Sequence, residues 1–306
     1  MFRILIVALL LGMVVSPVYA GTAETDVLWE EVYEYRNGAD YESAIEATER
    51  LILALEELGE YSRFELATAK AYLGTATYNA TLPKEQQYEL AIADSYLFEI
   101  YGLHRAGNIE EAEEMILYQK EVRERLLPAD AFDLTTTYGA YAELLVNRRK
   151  FTDARDWMLK SLEINKKHLG ELHNHVATQL KNIGDTYFYE GDYVEAARWV
   201  RKGLNTVLEM HPGDKESSYV ASFYNDLSVI HRKQGDYATS LRYARKTVAI
   251  VQHELGEYNS SLGVYVDNLS KTLLAQGDLF SAERASREAL RIRKQASGED
   301  HHLVAR

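Results

Sequence analysis

The chain is predicted to be all-α, a repeat of antiparallel helix pairs, and three observations predict it. The segment YEGDYVEAARW (189–199) returns as KQGDYATSLRY forty-four residues later and as AQGDLFSAERA forty-two residues after that. Past residue 20, proline stands only at Pro83, Pro128 and Pro212, each where apolar periodicity breaks. Between those breaks apolar residues recur at helical spacing, with small residues beside them. A fixed return means one supersecondary unit used repeatedly, and a unit that cannot bury its apolar face alone must use its neighbours.

The elements follow in chain order. Residues 1–20, MFRILIVALLLGMVVSPVYA, combine Arg3, an apolar run from Ile4 to Val15, a breaker at Pro17 and small residues around Ala20. That is the pattern of a secretory signal peptide cleaved after Ala20. Its apolar run falls short of the roughly twenty residues that span a bilayer. The expectation is an exported chain, periplasmic or secreted, with no stable membrane span after cleavage. It has no cysteine, so disulfides and thiolate-bound zinc are excluded and stability must come from packing.

Residues 21–129 are expected to form degenerate N-terminal helical repeats. Within them, residues 24–60 carry 12 acids against Arg36 and Arg50, while residues 61–306 sum to only −4. Such a surface repels phosphate backbones and argues against nucleic acid. Its acids are expected on solvated helix faces, with a docking surface for a basic partner as the less common use of such a run. The pairing of the helices at 62–79 and 84–104 is ambiguous.

Residues 130–296 carry the clear repeats, of about 42 residues. Val176, Leu180, Ile183 and Tyr187 fall on one side of a helix, as do Leu134, Tyr138, Tyr141 and Leu145, and Leu262, Val266, Leu269 and Leu273. Small residues, Ala177 and Gly184 or Thr135 and Ala142, sit beside these stripes. After each hinge comes another small residue: Ala44, Ala112, Ala154, Ala196, Ser240 and Ala282. These positions are predicted to be where paired helices touch. The hinge is Gly-Asp: glycine for a left-handed C-terminal cap, then Asp192 as the next N-cap, with Glu195 completing a capping box. It recurs at Gly235-Asp236 and Gly277-Asp278, with degenerate forms at Asp40-Tyr41, Gly107-Asn108 and Lys150-Phe151. About thirteen helices are expected, roughly six pairs plus one.

The linker LGELHNHVATQLKNIG (169–184) resembles the repeat-opening motif of the kinesin light chain-like class of tetratricopeptide repeats, with Asn182 and Asn268 at the motif asparagine and Asn225 displaced by one. The resemblance covers residues 130–296 and implies a right-handed superhelical solenoid. It also implies that the face of each first helix opposite the core stripe lines a concave groove for a peptide or partner protein. The groove candidates are Lys181, Asn182, Asp185, Phe188, Asn225, Arg232, Asp267, Asn268, Lys271 and Leu274. Among them the asparagines would bond a peptide main chain, Lys181, Arg232 and Lys271 would pair carboxylates, and Phe188 and Leu274 would anchor apolar groups.

Catalytic signatures are missing. There is no G-x-S-x-G elbow, P-loop, dinucleotide fingerprint or H-E-x-x-H set. His173 and His175, like His301 and His302 in the last opening motif, precede the first core residue of a helix, where a polar group caps or solvates the turn. His231 occupies a core-stripe position, with a half-buried histidine bonded to a neighbour as the ordinary outcome and a pH-responsive hinge as the rarer one. The 22 tyrosines are read as packing aromatics. No cofactor or metal is expected and no catalytic residue is assigned. The functional expectation is an exported, non-enzymatic scaffold for protein or peptide partners. The alternative is the sensing half of a longer enzyme, such as a caspase-like peptidase, because GEDHHLVAR (298–306) opens a further repeat and 297–306 reads as an incomplete one. Self-association through exposed solenoid ends is a third expectation.

Overall fold

The computed structural model describes residues 22–210, 217–257 and 259–297. The expected leader at 1–20 and all but the first residue of the expected incomplete repeat at 297–306, with His301 and His302, lie outside them. Among the described residues are thirteen α-helices and no strand. They are α1 Ala23–Asn37, α2 Tyr41–Glu57, α3 Arg63–Ala80, α4 Lys84–Ala106, α5 Ile109–Leu126, α6 Leu134–Asn147 and α7 Phe151–Leu169. There follow α8 Asn174–Glu190, α9 Tyr193–Met210, α10 Ser218–Lys233, α11 Tyr237–Leu255, α12 Ser260–Gln276 and α13 Leu279–Ser297. The chain divides into two compact units between Gln179 and Leu180, inside α8.

One hinge is used throughout. Gly107, Gly191, Gly235 and Gly277 have φ of 83°, 90°, 80° and 93°, and Ala39 and Arg149 adopt the same left-handed turn at 58° and 59°. In each case the residue after the turn donates its N–H five positions back: Asp192 to the Tyr187 carbonyl at 3.0 Å, Asp236 to His231 at 3.0 Å, Asp278 to Leu273 at 3.0 Å. These bonds satisfy carbonyls left open at the helix end. The aspartates then cap forward, Oδ1 of Asp40, Asp192, Asp236 and Asp278 each accepting from an N–H three residues on at 3.1 Å. The reciprocal half of the expected capping box is not made. Glu195 pairs with Arg198 at 3.0 Å instead, because the Asp192 N–H is already taken by Tyr187.

In the first unit, α1 pairs with α2, α4 with α5 and α6 with α7. The ambiguous helix resolves as the odd one. α3 packs on α2 across a short 3-10 turn, Gly59–Ser62, and reaches α7. α4 instead runs into the Gly107 hinge and pairs with α5. Around α3 gathers an aromatic core in which Tyr72 meets Trp29, Tyr33 and Phe132 edge-on, at centroid distances of 5.7, 6.0 and 5.3 Å. Glu24, Glu30, Glu34, Glu42, Glu46 and Glu49 are exposed, so this part of the acidic run is a solvated face.

Below that face lies a buried ion network. Arg36 Nη2 reaches Asp94 at 3.0 Å and Asp133 at 2.5 Å, and Arg123 Nη2 reaches Asp94 at 2.5 Å. Arg123 Nη1 also donates to the Asp133 carbonyl, Thr136 and Thr137. Burial opposes ionisation of Asp94, but Arg123 and Arg36 outweigh it and hold its carboxyl below the usual range. Two guanidiniums and two carboxylates thus tie α1, α4, α5 and the start of α6.

His173 departs from the expected solvated turn. It is a cap, its Nδ1 accepting from the His175 N–H at 3.1 Å, but it is also buried, with Nε2 3.1 Å from the Phe64 carbonyl. Those partners require the neutral Nε2–H tautomer. Burial pushes His173 down to about 4 and His175 down to about 3.

In the second unit, α8 from Leu180 packs on α9, α10 on α11 and α12 on α13. The predicted small positions sit at helix contacts. Ala44, Ala112, Ala154, Ala196, Ser240 and Ala282 are all buried. A Cβ at Gly184 would meet Val200 Cγ2 at 2.8 Å and the Ala196 carbonyl oxygen at 3.1 Å.

His231 is buried more deeply than half. Arg201 Nη2 donates to its Nε2 at 2.8 Å, and its ring stacks on Tyr243. Burial first, then the Arg201 charge, lowers its pKa.

Candidate functional site

All ten groove candidates lie in the second unit, on α8, α10 and α12. The structure links four of them through a residue that the sequence reading passed over. Asn268 Nδ2 donates to Asn225 Oδ1 at 2.8 Å, and Asn225 Nδ2 reaches Asp226 Oδ1 at 3.3 Å. Asp226 Oδ2 lies 3.1 Å from Lys181 Nζ, which is also 3.9 Å from Asp185. The result is a row of polar side chains from first helix to first helix. Asp226 stands 44 residues after Asn182 and 42 before Asn268, in the register of the repeat-opening asparagine, and that register was the available signal.

The row is not a set of unpaired charges. Lys181 loses solvation, but Asp226 and then Asp185 more than compensate, so its pKa is raised. Asp185 is pushed up to about 7, because desolvation and the like charge of Asp226 outweigh the pull of Lys181. Two carboxylates share one ammonium here. At the other end Asp267 lies 2.7 Å from Lys271 and 3.6 Å from Arg293. Arg293, on α13, had no part in the sequence-based set.

The remaining candidates stand apart from the row. Asn182 and Leu274 are exposed, Leu274 by 58%. Phe188 is half-buried against Tyr189 and Tyr193, with ring centroids 5.8 and 5.5 Å away, which makes it a packing ring. Arg232 is half-buried, and its Nε is shielded without a hydrogen-bond partner. Among the described residues no group of three His, Asp or Glu side chains converges as a metal site, and no helix is long and apolar enough to cross a membrane.

The tetratricopeptide repeat family profile matches residues 133–208 and 219–295, together half of the chain. The chain belongs to the tetratricopeptide repeat family. Solved tetratricopeptide neighbours agree in fold. BtubC (BKLC) from P. vanneervenii superimposes with a TM-score of 0.55 at 23% identity, covering 84% of this chain and 94% of BtubC. A Rap protein complexed with competence and sporulation factor gives 0.57 at 14% identity, covering 90% and 78%. A signal transduction ATPase with numerous domains and a tetratricopeptide repeat sensor, from Pyrococcus horikoshii, gives 0.57 at 18%, covering 94% of this chain and 43% of that one. Among curated proteins, the RxLR effector protein SFI4 of Phytophthora infestans is 23% identical over 167 residues, 52% of this chain. The match spans about half of the effector's length, 47%. A tetratricopeptide solenoid is a scaffold for protein–protein interaction, and that is the class of function the fold carries here.

Proposed function

We propose that the chain is an exported, non-enzymatic scaffold that holds an extended peptide or a partner-protein segment along the first-helix face of α8, α10 and α12. The observation that carries this reading is the bonded row from Asn268 through Asn225 and Asp226 to Lys181 and Asp185. A fixed row of this kind spends little entropy on ordering when a ligand arrives. The asparagine amides keep donor and acceptor capacity for a main chain. Lys271 and Leu274 supply an exposed cation and an exposed apolar contact at one end. The leader-like residues 1–20 support export, and the likeness to an effector protein and to a Rap protein solved with a bound factor fits a partner-binding role.

The test replaces Lys181, Asn225, Arg232 and Lys271 by alanine and measures recovery of secreted or envelope proteins in a pull-down, at unchanged helical circular dichroism. Loss of a specific partner is expected. Unaltered recovery by the folded variant removes this face from the account.

A second reading is favoured by the ATPase with a repeat sensor, of which the superposition on this chain covers less than half. The present repeats would then sense for a catalytic domain encoded past Arg306, a caspase-like peptidase being one form. Sequencing the reading frame beyond Arg306 decides it: a stop codon there ends this reading.

A further inference from the structure

The second unit contains a cavity whose origin can be read from its own repeat. Between α10 and α11 the seam is filled by rings. Tyr243 stacks on Tyr224 and on His231 at centroid distances of 5.7 and 5.8 Å, and Arg201 closes the seam from α9 through its bond to His231. One repeat on, in the same register, Val266 stands for Tyr224, Leu273 for His231, Ala285 for Tyr243 and Arg245 for Arg201. All four line an open cavity of about 640 Å³ bounded by α11, α12 and α13. Three large planar groups have been replaced by aliphatic side chains without the helices closing over the gap.

The chemistry of the cavity is divided. Its floor is Leu262, Val266, Leu269 and Leu273 on α12 with Ile292 on α13; its rim carries Arg245, Arg284, Arg287 and Arg291. Glu288 engages Arg291 at 2.6 Å and Glu283 engages Arg287 at 2.7 Å. Arg245 and Arg284 form no ion pair among the described residues; the Asp278 carboxylate feels both from a longer range, so they are the least engaged guanidiniums of the rim. An apolar floor with a few convergent charges, in a volume of several hundred Å³, is how small-molecule sites are built.

We propose that this cavity binds a free aromatic carboxylate, its ring system on the α12 floor and its anion at Arg245 and Arg284. The neighbouring repeat shows how this chain holds rings: Lys246 Nζ lies 4.2 Å and Arg242 Cζ 5.4 Å from the centroids of Tyr224 and Tyr243. Guanidinium beside a ring face is itself favourable, and bidentate capture of a carboxylate adds to it. A polypeptide suits the rim less well. Guanidiniums only donate, so of the charged rim groups only Glu257 and Glu288 could accept from main-chain N–H groups. This site is distinct from the first-helix row and does not depend on the partner-binding reading.

The experiment titrates 2-naphthoate into the full chain by calorimetry, with the neutral 2-naphthalenemethanol and the non-aromatic octanoate as comparison ligands. Saturable one-to-one binding of naphthoate is expected. Ala285→Trp, which refills the gap, should weaken it by about tenfold or more, and the double variant Arg245→Gln, Arg284→Gln should weaken naphthoate by about tenfold while leaving the neutral analogue unchanged. Ala285→Trp should unfold at or above the wild-type temperature; if it does not fold, Val266→Tyr serves as the filling variant. No saturation at about millimolar naphthoate, or equal affinity in the filled variant, overturns the site. Equal binding of octanoate overturns its preference for rings.

Discussion

A methyl group added at position 184 would meet Val200 Cγ2 at 2.8 Å and the Ala196 carbonyl at 3.1 Å, whereas one added at Gly139 meets nothing within 4 Å. Gly184→Ala is therefore expected to destabilise by about 1–3 kcal/mol, and Gly139→Ala, on open helix surface, to stabilise by about 0.5–1 kcal/mol. Urea unfolding midpoints of the two variants should move in opposite directions. Such small positions were legible because they recur beside each core stripe and at a fixed offset from each hinge. Asp226 was not, because the eye follows the asparagine one residue earlier. His173 makes a second residue-scale prediction. Its folded pKa of about 4 lies below the ordinary value of 6.5. Between those values the unfolded chain binds a proton that the folded chain refuses, so stability present above pH 6.5 is lost as pH falls toward 4. By pH 5 the loss from this ring is on the order of 2 kcal/mol. The drop in urea midpoint between pH 7 and pH 5 should shrink in His173→Gln; an unchanged drop would assign it elsewhere.

At the scale of the element, the hinge decides helix length and pairing. Glycine takes the left-handed turn at four hinges, but Arg149 takes it at φ 59° with a side chain attached. A non-glycine residue there costs on the order of 1 kcal/mol, so Arg149→Gly should raise the melting temperature by a few degrees, provided the loss of its contact over Phe151 is small. The Gly-Asp hinges were readable because each solves a local problem, the open carbonyls of one helix and the open N–H groups of the next. The partner of α3 was not readable. Its link to α2 is the 3-10 turn Gly59–Ser62, without the hinge signal, and its other contacts are to α7 and to the linker after it, the latter joining residues about a hundred positions apart, as in Phe64 with His173.

At the scale of the whole molecule, the all-α class of paired helices followed from the repeat and its helical periodicity and the superhelix from the family resemblance, while the buried charges followed from neither. Arg36 lies 58 residues from Asp94 and 97 from Asp133, and no local pattern connects them. Removing one member of such a network strands its partners, so Asp94→Ala is expected to cost about 3 kcal/mol or more. Trp29 belongs to the first unit and Trp199 to the second, which gives each unit an optical reporter. In single-tryptophan backgrounds, the Trp29 transition should shift further toward low denaturant than the Trp199 transition; equal shifts would deny the network its local role. The Gly-Asp joints inside the helix pairs, by contrast, close through backbone and capping bonds that reach no further than five residues. A recombination joining Gly191 directly to Asp236 would remove forty-four residues and leave an intact joint behind. Copy number in a gene of this design can therefore rise or fall by whole units through unequal exchange, and the span of surface offered to the outside becomes a heritable variable in its own right.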